Sequence, residues 1–150
     1  MSSRTLRIHG RSRNLGFARV AAATFWTKPM GVDQNLIQHL QMAQRAHDER
    51  VQLMAFPELG LSGYGCRNAF QERALIVSSL EALETFCIRT SSINTIFVLG
   101  LPLLVGERLF NVAAVVHLGK VIAFVPKSFL AARAEWQENE WFSPASELQA

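Results

Sequence analysis

What the chain lacks narrows its possibilities before any motif is considered. Only two cysteines occur in 150 residues, Cys66 and Cys87, and neither lies in a CxxC or CxxH pattern. That spacing fits neither a disulfide framework nor a structural zinc site. The histidines (His9, His39, His47 and His117) show no metal-ligand spacing either. No apolar run approaches the roughly 20 residues that a membrane-spanning helix needs. A signal-peptide core is missing as well, because Arg4, Arg7, Arg11 and Arg13 interrupt every apolar stretch of the N-terminus. Two thiols without a secretory signal point to a reducing, cytoplasmic setting. Internal repeats, linkers and low-complexity segments are also absent.

Acidic residues are missing from one region in particular. Residues 1–19 hold five arginines and no acid, which leaves ten basic against twelve acidic residues in the remainder. The net charge of +3 therefore comes from the N-terminal tail, and residues 1–17 read as a basic lead-in to a domain over 18–150. The basic residues neither interleave with aromatics nor share a helical face, so nucleic acid is not an expected partner. A hydrophobic content of 49% supplies one globular domain with a core.

The pattern of apolar residues predicts an α/β order. Arg19–Phe25 reads as a first, buried strand. Asp33 is a natural N-cap, and Leu36, Ile37, Leu40, Ala43 and His47 recur at helical spacing, which predicts a helix over 33–50 with His47 as a packing residue. A strand over 51–56 follows directly, completing a β-α-β unit with parallel, adjacent strands. Residues 57–70 read as a loop. Leu75, Leu80, Leu83, Phe86 and Cys87 predict a helix over about 70–90, with Ser78 and Ser79 as its weak point, and place Cys87 in the core. Thr95–Leu101 predicts a strand buried on both faces. Leu109–Val116 and Lys120–Val125 predict a hairpin turning at His117–Gly119, with Gly119 taking the unusual dihedrals. The alanines from 131 on favour a short final helix ending before Pro144. The order β-α-β-α-β-β-β is that of a layered α/β fold with a mixed sheet, covered on both faces. The helices supply one cover; the other is expected from outside this chain.

Two charged residues stand at the ends of apolar strands. Glu58, in Phe56-Pro57-Glu58-Leu59-Gly60-Leu61-Ser62-Gly63-Tyr64, follows the 51–56 strand, and Lys127, in Val125-Pro126-Lys127-Ser128-Phe129-Leu130, follows the last one. A carboxylate there can take the proton of a thiol and return it to a leaving amine. An ammonium there can stabilise an oxyanion in a dry site. A plain ion pair at strand ends is the alternative reading of the same two residues.

Taken together, Pro57-Glu58-Leu59 with Ser62-Gly63-Tyr64-Gly65-Cys66, then Gly100-Leu101-Pro102, Leu109-Phe110-Asn111 and Pro126-Lys127-Ser128, resemble the motifs of the nitrilase, or carbon–nitrogen hydrolase, superfamily. Ser62-Gly63-Tyr64-Gly65-Cys66 and Val125-Pro126-Lys127-Ser128-Phe129-Leu130, to which Glu135-Trp136-Gln137-Glu138 with Trp141, Phe142 and Pro144 add, resemble more specifically the N-terminal glutaminase domains of glutamine-dependent NAD synthetases. The similarity runs from about residue 17 to 145. It implies part of an α-β-β-α sandwich, with Glu58 as general base, Lys127 as oxyanion-stabilising cation and Glu138 as a second glutamate that helps hold the lysine and the substrate. Arg133 stands where that branch has a tyrosine lining the glutamine pocket, Ala131 where it has proline or asparagine, and Ala145 where it has glycine.

The resemblance also implies what to expect beyond these residues. The family's nucleophilic cysteine lies on a later strand-to-turn elbow. Cys66 matches a non-catalytic position, so the chain reads as an N-terminal fragment that is inactive alone. Its partners would be glutamine and a missing C-terminal synthetase domain, which uses ATP and magnesium and grips the ATP pyrophosphate through a Ser-Gly-Gly-x-Asp-Ser loop, in a homo-oligomer. No cofactor is implied for residues 1–150 themselves. Two other readings stand beside this one: a stand-alone nitrilase-like amidase, and a non-catalytic truncated paralogue that acts by binding.

Overall fold

A computed structural model describes residues 16–133 and 136–148. Most of the basic lead-in therefore lies outside the described residues, as do Ala134 and Glu135. Strand β1 (Val20–Ala22), helix α1 (Val32–Asp48), strand β2 (Leu53–Ala55), helix α2 (Arg73–Arg89) and strands β3 (Ile96–Val105), β4 (Arg108–His117) and β5 (Lys120–Pro126) follow one another in the predicted order. They build one five-stranded mixed sheet in the order β1-β2-β3-β4-β5. β1–β2 and β2–β3 are parallel, while β3–β4 and β4–β5 are antiparallel. A two-stranded ribbon, β6 (Ala132–Arg133) and β7 (Trp136–Gln137), follows the sheet.

The register sorts the side chains onto two unlike faces. Met54 stands level with Phe97, Phe97 with Val116, Leu99 with Ala114 and Leu101 with Val112. These residues are buried, and both helices pack on them. Phe86 of α2 meets Phe97 edge-on at 5.2 Å, and His39 of α1 lies 4.6 Å from Phe56. On the opposite face Leu53 is level with Ile96, Val98 with Val115, and Ala113 with Val125. No helix covers that side among the described residues, and Val125 is left 54% exposed. The helices supply one cover of the sheet, as expected, and the other face is open among the described residues.

Local predictions differ from the structure where tertiary contacts outweigh them. The first strand is three residues at the sheet edge, and Val20 is exposed rather than buried. Gly31, not Asp33, caps α1, and Asp33 sits in its first turn. There its carboxylate favours the positive end of the helix dipole. The helix buries Val32, Asn35, His39, Ala43 and Ala46, which leaves Ile37 and His47 exposed. Ser78 and Ser79 do not interrupt α2, because both hydroxyls donate to the Leu75 carbonyl, at 3.1 and 2.7 Å. Cys87 is buried as predicted. The β4–β5 turn uses two residues in the left-handed region, Leu118 (φ 48°) as well as Gly119 (φ 73°), which matches the twist of a two-residue hairpin. The predicted helix after Leu130 is instead the β6–β7 ribbon and a 3-10 turn, Glu138–Glu140.

Candidate active site

Each charged residue reaches the site through backbone that the sheet fixes. After β2, the Phe56 N–H still donates to the Val98 carbonyl. The chain then coils back on itself: Gly60 N–H bonds Pro57 O at 3.0 Å and Gly63 N–H bonds Leu59 O at 2.7 Å. Leu59 is held at φ 49°. This turn lies directly on β3, where Leu61 N–H donates to Gly100 O. A Cβ on Gly100 would come within 2.3 Å of Leu59 N, so only glycine permits the approach. From behind, the buried Asn35 side chain clamps the loop, accepting from Lys28 N–H and donating to the carbonyls of Lys28 and Leu61. Glu58 is thereby presented at the end of β2.

Lys127 follows β5, with its N–H on the Asn111 carbonyl at 2.8 Å and its own carbonyl bonded by Ala145 N–H at 3.0 Å. Glu138 is tied to Ala131 twice. Its N–H donates to Ala131 O, and its Oε2 accepts from Ala131 N–H, both at 2.8 Å. The last aromatics fasten this segment. Phe142 and Trp141 lie 4.9 and 6.0 Å from Phe70, and Trp141 Nε1 donates to Asn68.

The three predicted catalytic residues come together around one ammonium. Lys127 Nζ lies 2.7 Å from Glu58 Oε1 and 2.8 Å from Glu138 Oε2. Burial alone would lower the Lys127 pKa, but hydrogen bonds and charge from Glu138 and Glu58 overcome it and leave it raised. Burial likewise pushes against ionisation of Glu138, whose residue is 2% exposed. The Lys127 ammonium, Ala131 N–H and Tyr64 hydroxyl outweigh that and lower its pKa. Tyr64 donates to Glu138 Oε1 at 2.9 Å, and burial followed by the Glu138 carboxylate raises its own pKa. Lys127 thus stays charged, held between one sealed and one open carboxylate.

Asn111 and Tyr64 complete the group, and neither stood among the predicted site residues. Asn111 is 3% exposed on β4 and donates to Glu58 Oε1 at 2.6 Å. Its signal in the sequence was a lone amide within the apolar run Leu109–Val116; that of Tyr64 was being the one tyrosine of the chain. Arg133 does not join them: it is exposed on β6, and no ion pair among the described residues links it to the cluster. Neither cysteine joins either. Cys66 is buried, with its thiol on the Ser62 and Gly63 carbonyls, and burial raises both thiols above their ordinary range. No group of His, Cys, Asp and Glu suited to a metal occurs among the described residues.

Glu58, Asn111 and Lys127 line a hollow of about 400 Å³ on the open face of the sheet, floored by Val98, Gly100 and Ala113. A second hollow of about 560 Å³, between Ser128–Leu130 and Phe142–Pro144, contains none of the three. The first therefore sets an exposed carboxylate beside a fixed cation over an apolar floor. That arrangement suits proton transfer coupled to charge stabilisation.

Comparison with known proteins gives the same direction. Residues 19–142 match the family model described as carbon-nitrogen hydrolase. The glutamine-dependent NAD(+) synthetase of Mycobacterium tuberculosis (strain ATCC 25618 / H37Rv) is 35% identical over 129 residues, 86% of this chain and 19% of that protein. The Mycobacterium leprae (strain TN) synthetase is 29% identical over 136 residues, 91% of this chain and 20% of that protein. The chain thus spans about a fifth of the length of these relatives. Among solved structures, a glutamine-dependent NAD(+) synthetase from Cytophaga hutchinsonii superposes with a TM-score of 0.80 at 25% identity, covering 85% of this chain and 22% of that one. An amidase from Nesterenkonia sp. shares the fold, with a TM-score of 0.72 at 22% identity over 85% of this chain and 48% of its own. The mixed sheet with its two helices on one face is accordingly part of a nitrilase-type sandwich. Motifs, fold and matched span agree, and the chain belongs to the carbon–nitrogen hydrolase family.

Proposed function

We propose that these residues are the N-terminal part of a glutaminase domain in a glutamine-dependent NAD synthetase. The observation that carries the reading is the Lys127 ammonium bridging Glu58 and Glu138 at the lip of the open hollow. The synthetase relatives, which match 86–91% of the chain, support the choice of glutamine as substrate.

In this reading Glu58 takes the proton of a cysteine thiol, and the thiolate sulfur attacks the carboxamide carbon of glutamine. Negative charge gathers on the amide oxygen, beside Lys127. When the C–N bond breaks, Glu58 returns the proton to the leaving nitrogen and ammonia departs. Water, deprotonated by the same carboxylate, then cleaves the thioester to glutamate and restores the thiol. Glu138 keeps Lys127 charged and aimed. Arg133, exposed on the ribbon, contacts the substrate from the rim. The nucleophile comes from outside residues 1–150, since burial disqualifies both Cys66 and Cys87. The ammonia passes to a C-terminal synthetase domain that uses ATP and magnesium to amidate nicotinate adenine dinucleotide. The polypeptide is cytoplasmic and homo-oligomeric, and the 150 residues alone do not turn over glutamine.

The amidase fold likeness favours a second reading, a stand-alone amidase acting on a small amide. Substrate competition separates the two. The full polypeptide carrying these residues should release ammonia from glutamine at least about a hundredfold faster, by kcat/KM, than from propionamide. This is the discrimination expected when a site binds the polar end of its substrate. The reverse preference would establish the amidase reading. Absence of both activities would leave a binding module.

A further inference from the structure

We propose that Asn111 is the positioning residue that sets which oxygen of Glu58 acts as the base; the proposal deepens the glutaminase reading and rests on it. Asn111 touches both halves of the site. Its carbonyl accepts the Lys127 N–H at 2.8 Å, and its side-chain Nδ2 donates to Glu58 Oε1 at 2.6 Å. The orientation of the amide follows from its partner, because an ionised carboxylate only accepts. Lys127 Nζ donates to that same oxygen at 2.7 Å. Oε1 thus carries two donors, whereas Oε2 has no partner among the described residues.

The two oxygens are therefore chemically unlike. Oε1 is stabilised as an anion and is a poor proton acceptor, so the proton from the thiol goes to Oε2. Asn111 is well built for this task. It is nearly sealed from solvent, and the pairing of Asn111 with Pro102 on β3 and of Val112 with Pro126 on β5 fixes its backbone. By contrast, the Glu58 side chain is 44% exposed, and among the described residues its one other side-chain anchor is Lys127, itself tied to Glu138. Without Asn111, Lys127 alone would hold Glu58 Oε1, and no group fixed to the sheet would turn the other oxygen toward the hollow.

A swapped pair tests the contact. In the full polypeptide carrying these residues, Asn111→Asp places a second carboxylate against Glu58 and should speed amide hydrogen exchange in the 56–64 segment about tenfold. Adding Glu58→Gln removes the repulsion, lets the introduced amide N–H donate to the introduced carboxylate and its oxygen accept from Lys127, and should return the exchange to near the parental rate. If Asn111→Asp alone does not fold, recovery of folded protein by the swapped pair is the corresponding expected result. Additive effects, with no recovery in the double variant, would overturn the proposal. So would an Asn111→Leu variant whose 56–64 exchange is unchanged. In turnover, Asn111→Asp should lower kcat for glutamine by about a hundredfold with KM within about twofold, and the swapped pair should stay inactive for want of a base. If the parent does not hydrolyse glutamine the glutaminase reading fails, while the exchange cycle still decides whether Asn111 holds Glu58.

Discussion

Glu138 Oε2 lies 2.8 Å from the Lys127 ammonium, and of the two carboxylates on that lysine Glu138 is the one shut away from water, with 3% of its side chain exposed against 44% for Glu58. The sealed partner anchors the cation and leaves the open one free to work. Each of the Glu138 oxygens has a further donor, Tyr64 OH or Ala131 N–H. Removing the carboxylate would strand the Tyr64 hydroxyl and the Ala131 N–H and leave Lys127 with Glu58 alone.

Glu138→Ala should therefore destabilise the fold by about 3 kcal/mol, as leaving buried donors without their charged acceptor does. The pH dependence follows from the shifts. Because the Glu138 pKa is lowered, its contribution is present above the ordinary carboxylate range and is lost as pH falls through its folded value. The Lys127 pKa is raised, so its contribution holds below the ordinary lysine range and is lost as pH rises through its folded value. Denaturant melts of parent and variant should differ most between about pH 5 and 10 and converge at both extremes.

Gly100→Ala should be about as costly, at roughly 3 kcal/mol or more, because the added methyl meets the backbone of Leu59 and Glu58 rather than a movable side chain. Where the protein survives, the displaced turn should carry Glu58 away from Lys127. A crystal structure of the variant with the Glu58–Lys127 contact intact would contradict this account of the turn.

His39 makes a separate prediction about acid stability. Burial holds its pKa down to about 4, against the hydrogen bond with the Asn35 carbonyl, and its buried Nε2 has no partner among the described residues. The unfolded chain binds this proton near pH 6.5 and the folded one does not, so folding stability falls by roughly 3 kcal/mol as pH drops from 6.5 to 4. His39→Leu should flatten the stability curve over that interval, whatever it does at neutral pH. A slope identical to that of the parent would show that another group controls acid unfolding.

The open sheet face should make the isolated 150 residues associate. Leu53, Val98 and Val125 share that side, and the β5 edge carries exposed Ile122 and Phe124. Exposed apolar faces and unpaired strand edges favour self-association. Sedimentation should show oligomers, and Leu53→Lys with Val125→Lys should shift them toward monomer. A monomeric parent at high concentration would argue that the face needs no cover.

Much of this was legible in the sequence because it depends on local periodicity and on residues at strand ends. Glu58 and Lys127 follow apolar runs, and the β-α-β order needs only the alternation of periods two and 3.6. What the sequence hid depends on distant partners. Alanines 131, 132 and 134 favour a helix, yet Glu138 binds both polar backbone groups of Ala131 and draws the chain into a ribbon. A proline at 131 would lack the N–H that Ala131 donates to Glu138. Asn111 was visible only as an amide among apolar neighbours, and its partner lies 53 residues away. Burial of His39 rather than His47 turned on which helical stripe met the sheet, a matter of packing rather than composition.

In the proposed reaction Glu58 and Lys127 act together on the amide of glutamine. Ammonia release from glutamine by the full polypeptide, in the parent and in Glu58→Gln and Lys127→Ala, tests it most directly. The account predicts turnover in the parent and a loss of at least about a thousandfold in kcat in each variant, with the fold retained. Parental rates in either folded variant would contradict it.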